Sequence, residues 1–372
     1  MAVEVVVVGG GYAGLAAIGQ MRGARAHGLR IRLIDSVGSH ELIPELPEAL
    51  REGDPVDDHV IPFSEILSRV GVEHIQAHAV AVETGRRRVL LADGSLVSYD
   101  WLLLSPGSVP AYPPILGLEK YALPLRNARD TMALKRRLHS GVRQRVVVVG
   151  GGLTGTEVAG ILAPDHDVWL VERMARLLPG LGMGLARYAR DRLREAGVTF
   201  MLGRNLLAVR EHQVELEKDQ LHYDVLIWTG GIKAPPWLRQ GDLPLDREGY
   251  PLVDGRGLVS ERVFAAGDVW RVRVGPEQIP QTAQLALLAG RYTGENLLRA
   301  IRGEPLAAPL RPTIHGVLVS LNPGAGVGWV IRGGIPVRGI SARALKELSF
   351  RQYRLKLSRV FGRGQASRQP LS

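Results

Sequence analysis

Two glycine runs in this chain have the residue types and spacing to hold a diphosphate. In the first, Gly9, Gly11 and Gly14 form GxGxxG, with Gly10, Tyr12 and Ala13 between them, directly after the apolar run VEVVVV. Each glycine has its own task in such a loop: Gly9 makes the tight turn, Gly11 lets backbone approach a pyrophosphate, and Gly14 lets a helix pack closely on its strand. The first turn of that helix offers free N–H groups and partial positive charge to phosphates. Asp35 lies 21 residues after Gly14, where its carboxylate can accept two hydrogen bonds from ribose hydroxyls. Gly150, Gly152 and Gly155 repeat the pattern, and Glu172 lies 17 residues after Gly155. An acid at that place favours the free 2′-hydroxyl of NADH, whereas Arg173 and Arg176 would suit the 2′-phosphate of NADPH. NADH is the favoured reading, with NADPH as the alternative. Glu157 stands two residues past the third glycine, where the residues alone admit either a solvated first-turn glutamate or a group at the site.

The elements that must position these loops follow from apolar periodicity. A strand over Val3–Val8, a helix from about Ala13 to Arg25 and a strand over Arg30–Ile34 make one βαβ unit with a right-handed crossover. Short strands with a turn at Asp93-Gly94 then lead back to a buried strand, Trp101–Leu104. After a Pro- and Gly-rich linker over residues 106–117 the unit repeats, with strands Arg145–Val149 and Asp167–Val171, a helix over Gly184–Ala196 and the strand HYDVLIWTGG. The expected fold is α/β, with two Rossmann-like dinucleotide-binding domains, the second inserted in the first, and a small C-terminal segment. We place the first domain at residues 1–110 and 235–311, the inserted domain at 111–234, and the C-terminal segment at 312–372.

Composition narrows the chemistry. The chain contains no cysteine, which excludes disulfides, thiolate metal sites and a redox-active dithiol, so any electron carrier must be a bound cofactor. Of 47 basic residues only 6 are lysine, and the arginines are spread along the chain, so the net charge of +10 is not read as a nucleic-acid face. His40, His59, His74 and His78 fall at no metal-ligand spacing and are read as surface or loop residues; no metal is expected. No secretory signal is recognised, which predicts a cytoplasmic protein. The uncharged stretch from Pro312 to Ile331 contains Asn322-Pro323-Gly324 and reads as two strands and a turn, not a membrane span.

In order along the chain, VVVVGGGYAG, YDWLLLSPGS, VVVVGGGLTGTEVAG, YDVLIWTGG, VFAAGDV and IPQTAQLALLAG resemble the two-dinucleotide-binding flavoproteins, and more narrowly the type II NADH dehydrogenases. The resemblance covers essentially the whole chain. It implies FAD at the Gly9 loop and NADH at the Gly150 loop. It further implies Asp268, after Gly267, on the FAD ribitol, turns at Gly107 and Gly230 lining the cofactors, Val80 at the FAD, and Pro44 of HELIPELPEAL beside the isoalloxazine. Glu157 matches the family's glutamate near the nicotinamide, and Gln284 its flavin and quinone end. Where relatives carry AQxxxQ, this chain has Leu288 in place of the second Gln. Asp35 is one methylene shorter than the family's usual Glu. Without cysteine, the dithiol branches of the family are unavailable, which leaves direct flavin chemistry.

The C-terminal stretch 341–363 carries Arg343, Lys346, Arg351, Arg354, Lys356, Arg359 and Arg363 against a single acid, Glu347. At helical spacing Phe350, Tyr353, Leu357, Val360 and Phe361 share a stripe, the pattern of a helix lying on an anionic membrane. The family uses this end for peripheral attachment, so the resemblance implies a cytoplasmic protein peripheral on the inner face of the cell membrane. The competing reading packs the stripe on its own chain or on a dimer mate. On the membrane reading, deletion of residues 341–372 releases the protein from membranes without loss of FAD. The leading functional expectation is NADH:quinone oxidoreduction. Its rivals are a soluble reductase of a ferredoxin- or rubredoxin-like carrier and a non-catalytic flavoprotein sensor, for which Leu288 is the sequence support.

Overall fold

The computed structural model describes residues 2–138, 141–274, 277–331 and 334–362. The valine-rich start forms β1 (Val3–Val8), whose last four side chains are buried, and the chain turns through the glycines into α1 (Tyr12–Met21). That helix tightens into 3₁₀ geometry over Arg22–His27, earlier than the periodicity predicts, and β2 (Leu29–Asp35) follows. β3 (Glu73–Gln76) and β4 (Trp101–Leu104) complete the first pass, with a three-stranded antiparallel meander between them whose second turn holds Asp93 and Gly94.

The chain then crosses at Val109–Pro110, and its return at Ile232–Lys233 pairs antiparallel with that crossing. Between them lie β5 (Leu123–Pro124), α2 (Ala128–Leu138), β6 (Arg145–Val149), α3 (Leu153–Leu162), β7 (Asp167–Glu172), α4 (Met183–Glu195), β8 (Thr199–Leu202) and β9 (Val225–Trp228). After the return come β10 (Leu258–Ser260), β11 (Val263–Ala265) and α5 (Ala283–Ile301). The first sheet has the order β10-β11-β4-β1-β2-β3, parallel except for β10; the second, β5-β9-β6-β7-β8, is parallel throughout. Parallel strands covered on both faces must be apolar along their length, which explains the all-buried stretches Val5–Val8 and Val146–Val149.

The C-terminal segment adds the antiparallel strands β12 (Gly316–Asn322), β13 (Ala325–Val330) and β14 (Ile335–Arg338), then α6 (Gly339–Gly362). α6 corrects one expectation. Tyr353, Leu357, Val360 and Phe361 pack into the core around α1 and the first sheet, with Leu357 and Phe361 buried, so four of the five residues of the predicted stripe face the protein and not a membrane. A β-carbon on Gly19 of α1 would collide with Val360, which shows how closely the two helices approach. Arg363 lies outside the described residues. None of the described helices is long and apolar enough to cross a membrane.

Candidate functional site

Both glycine loops sit where a parallel strand ends and a helix begins, and they are built alike. Gly9 and Gly150 adopt φ of +99° and +116°, a region open to glycine and strained for other residues. Gly9 N–H donates to the Ile34 carbonyl at 2.8 Å, and Gly150 N–H to that of Val171 at 2.9 Å, carrying each strand pairing into its loop. A β-carbon on Gly14 would run into the Gly9 carbonyl, and one on Gly155 into that of Gly150, so these glycines serve helix–strand packing. At Gly11 and Gly152 a β-carbon would meet nothing within 4 Å. Protein packing therefore does not require glycine at these two positions, whereas close approach by a pyrophosphate would.

The acids close each loop. Asp35 Oδ2 accepts from Gly10 N–H at 2.5 Å and Oδ1 from Val37 N–H at 2.9 Å. Glu172 does the same, Oε2 taking Gly151 N–H and Oε1 taking Met174 N–H, each at 2.6 Å. Burial pushes the Asp35 carboxyl up, against those backbone donors. The shorter Asp thus reaches the same loop position as Glu does in the second domain. Arg176 donates to the Leu181 and Pro179 carbonyls, at 2.9 and 2.7 Å, which commits two of its five N–H donors.

Asp268 stands after Gly267 in a short 3₁₀ turn following β11. Its Oδ2 accepts from Ser108 Oγ at 2.5 Å and from Arg126 Nη2 at 3.3 Å, while Arg126 Nη2 also donates to Ser108 Oγ at 2.7 Å. Gln281 Nε2 holds the Asp268 carbonyl at 2.5 Å. Oδ1 carries no hydrogen bond from the described residues, and the buried Arg126 Nε has no partner either. A free carboxylate oxygen and an orphaned guanidinium donor beside the first loop fit the polyhydroxyl and phosphate chemistry of a dinucleotide stem. Ala13 packs against Gly267 and Gly290, which fixes α5 and the Asp268 turn on the start of α1.

Gly107 turns at φ +71° just before Ser108, and a β-carbon there would meet nothing within 4 Å. Gly230 abuts the Trp228 ring at the end of β9. Val80 lies half-buried in the strand Ala79–Glu83, and Pro44 in the 3₁₀ turn Ile43–Glu45. Gln284, on the first turn of α5, accepts from His315 N–H at 2.8 Å, with Leu288 one turn further, half-buried.

Glu157 is brought into a buried cluster with the C-terminal helix. It is 6% exposed, its Oε1 accepts from Ser320 N–H at 3.0 Å, and Lys346 Nζ lies against the same oxygen. Burial pushes the Glu157 carboxyl up, against the pull of the Lys346 ammonium. The Pro44 segment is tied to the same helix: Arg343 pairs with Glu48, and Arg354 Nη2 with Glu45 Oε2 at 2.6 Å. From the other side Lys135 of α2 caps the carbonyls of Ala49, Arg51 and Asp54. Burial acts to raise the Glu45 and Glu48 carboxyls, yet their cationic partners outweigh it and hold both below the usual range.

Four features escape sequence reasoning. Ser105 and Thr229, each directly after the strand beside its loop, clip the Gly9 and Gly150 carbonyls at 2.9 and 3.1 Å; their matching places after two apolar strands are the signal that could have found them. Arg126 and Lys346 carry no local signal, because each meets its carboxylate partner across more than 140 residues of chain. The histidine expectation also needs correction: His40 and His59 are buried, His40 on the first loop and His59 between Glu45 and Asp54. No cluster able to hold a metal occurs among the described residues.

The chain is similar to known proteins. The pyridine nucleotide-disulphide oxidoreductase family model matches residues 3–290. An NADH dehydrogenase-like protein of Mycobacterium tuberculosis is 28% identical over 366 residues, 90% of this chain and 91% of its own length. The demethylphylloquinone reductase of Synechocystis is 27% identical over 371 residues, covering 93% and 91%. Among solved structures, NDH2 of Plasmodium falciparum in complex with NADH superposes with a TM-score of 0.81 at 15% identity, over 100% of this chain and 99% of that one.

Proposed function

The chain belongs to the pyridine nucleotide-disulphide oxidoreductase family and is a flavin-dependent NAD(P)H oxidoreductase, and from that premise we propose that it passes electrons from NADH through FAD to a quinone at a membrane surface. The observation that carries the first half is the matched pair of loops, in which an acid accepts from the N–H of Gly10 or Gly151 and the next residue, Gly11 or Gly152, faces open space. FAD would be held at Gly9–Gly14, Asp35, Asp268, Val80, Gly107 and the Pro44 segment, and NADH at Gly150–Gly155, Glu172 and Gly230. When bound, FAD supplies acceptance of two electrons from the nicotinamide and their release to a second acceptor.

The protein's own residues bind and orient. The α1 and α3 N-termini offer N–H donors to the two pyrophosphates. Asp35 and Glu172, fixed by backbone donors, present their remaining lone pairs to ribose hydroxyls. Ser108 and Arg126 occupy one oxygen of Asp268 and leave the other for the ribityl chain. Glu157, paired with Lys346, is the proposed active-site side chain on the nicotinamide side, where its burial helps to exclude water. Such positioning can account for most of what a direct transfer between two bound cofactors requires.

The name of the Synechocystis relative supports the quinone reading, and the absence of cysteine removes thiol chemistry as a competitor. The quinone end would lie at Gln284, with Leu288 making it more apolar than a second amide would. The membrane side would be the outer face of α6, where Leu345, Leu348 and Leu355 are exposed beside Arg351, Lys356 and Arg359. Anaerobic addition of NADH to the purified protein should bleach the flavin, and a water-soluble quinone should then restore its colour with turnover. Bleaching followed by turnover only on a ferredoxin or rubredoxin would reject the quinone half of the reading.

A further inference from the structure

The inner face of α6 reaches the first glycine loop through a chain of hydrogen bonds that the proposed reaction does not use. His40 is fully buried, and burial lowers its imidazole to about 4, so the ring is neutral. Its Nδ1 lies 3.2 Å from the Gly10 carbonyl, which can only accept, so Nδ1 carries the proton. Nε2 is then an acceptor, and the Tyr353 hydroxyl of α6 donates to it at 2.8 Å. Tyr12 of the loop packs on both partners, with ring centroids 4.9 Å from His40 and 4.8 Å from Tyr353.

The consequence lies in the peptide unit. The Gly10 carbonyl and the Gly11 N–H belong to one planar trans amide, so they point in opposite directions. Asp35 fixes the preceding amide through Gly10 N–H, and His40 fixes this one through its carbonyl. The Gly11 N–H, at the N-cap of α1, has no acceptor among the described residues, and a β-carbon on Gly11 would meet nothing within 4 Å.

We propose that Tyr353 is a positioning residue of the flavin site: acting through His40 on the Gly10 carbonyl, it aims the Gly11 N–H at the FAD pyrophosphate, so docking of the C-terminal helix and retention of FAD are reciprocally linked. This rests on the reading that the Gly9 loop holds FAD. By thermodynamic reciprocity, whatever FAD gains from the docked helix, the helix gains from bound FAD.

The test uses the full-length holoprotein and Tyr353→Phe, which removes one hydroxyl and keeps the ring packing. Flavin release on dilution, followed by fluorescence, should show FAD bound roughly fivefold to tenfold more weakly, the worth of one hydrogen bond. In the wild type, saturating FAD should slow tryptic cleavage after the exposed Arg351, Lys356 and Arg359, and in the variant this protection should shrink. In a His40→Asn background, whose amide can donate from the Nδ1 position but offers nothing to Tyr353, adding Tyr353→Phe should change FAD affinity no further. Unchanged FAD affinity in Tyr353→Phe, even with a lower melting temperature, would reduce Tyr353 to packing and overturn the proposal. A wild-type protein that binds no FAD would instead sink the flavin reading, and this link with it.

Discussion

Both oxygens of the Glu172 carboxylate are held by backbone donors at the end of β7, and this fixes the carboxylate in the NADH site proposed above. A 2′-phosphate brought there meets like charge at short range, and Arg176 is already committed to two carbonyls. Steady-state kinetics should therefore give a kcat/KM for NADH at least about tenfold above that for NADPH, one unfavourable contact of roughly 1.4 kcal/mol. Glu172→Ala should narrow that ratio, chiefly by improving NADPH. Equal use of both nucleotides by the wild type would mean that Arg173 and the remaining donors of Arg176 compensate the charge. At this scale the sequence is a good guide, because a loop glycine and the acid at the next strand end are set by local geometry. It is a poor guide to Arg126 and Lys346, whose roles arise only where separate parts of the chain meet.

The C-terminal helix is an element with two working faces. Its inner face carries Ala342, Arg343, Lys346, Leu357 and Phe361 into buried contacts, and its outer face leaves Leu348 and Leu355 about half exposed, at 49% and 56%. Periodicity finds the inner stripe readily because it is aromatic. The outer leucines are interspersed with arginine and lysine, so they score as a solvated face until the fold shows which side is free. Replacing Arg351, Lys356 and Arg359 by Gln should weaken binding to anionic vesicles about a hundredfold, on the order of 1 kcal/mol per charge, with FAD retained. Sedimentation with vesicles measures the effect, and unchanged pelleting would remove α6 from the attachment. Deletion of residues 341–372 is now expected to act differently from the sequence reading: it strips Lys346, Tyr353, Leu357 and Phe361 from the interior, so FAD and fold should both suffer.

Across the whole molecule, α6 works as a strap between the two dinucleotide domains. Lys346 pairs with Glu157 of α3 in the inserted domain, while Arg343 and Arg354 pair with Glu48 and Glu45 in the segment after β2. Removing one member of a buried pair leaves an uncompensated charge, so Lys346→Met should cost about 3–5 kcal/mol in urea unfolding. Adding Glu157→Gln should recover much of that loss, because the remaining partner no longer carries a buried charge. Additive losses in the double variant would show that the two side chains do not share one interaction.

The sequence by itself determined the two parallel-sheet units, the glycine loops, the acids at the following strand ends and the exclusion of thiol chemistry. These rest on short-range rules: apolar runs for strands buried on both faces, glycine where φ is positive or space is needed, and the types of side chain present. Tertiary structure alone decided which face of the C-terminal helix is buried, that His40 and Tyr353 stand behind the first loop, and that Glu157 is paired. An amphipathic stripe fixes that a helix must be covered on one side but not by what, and a partner some 190 residues away leaves no trace in local spacing.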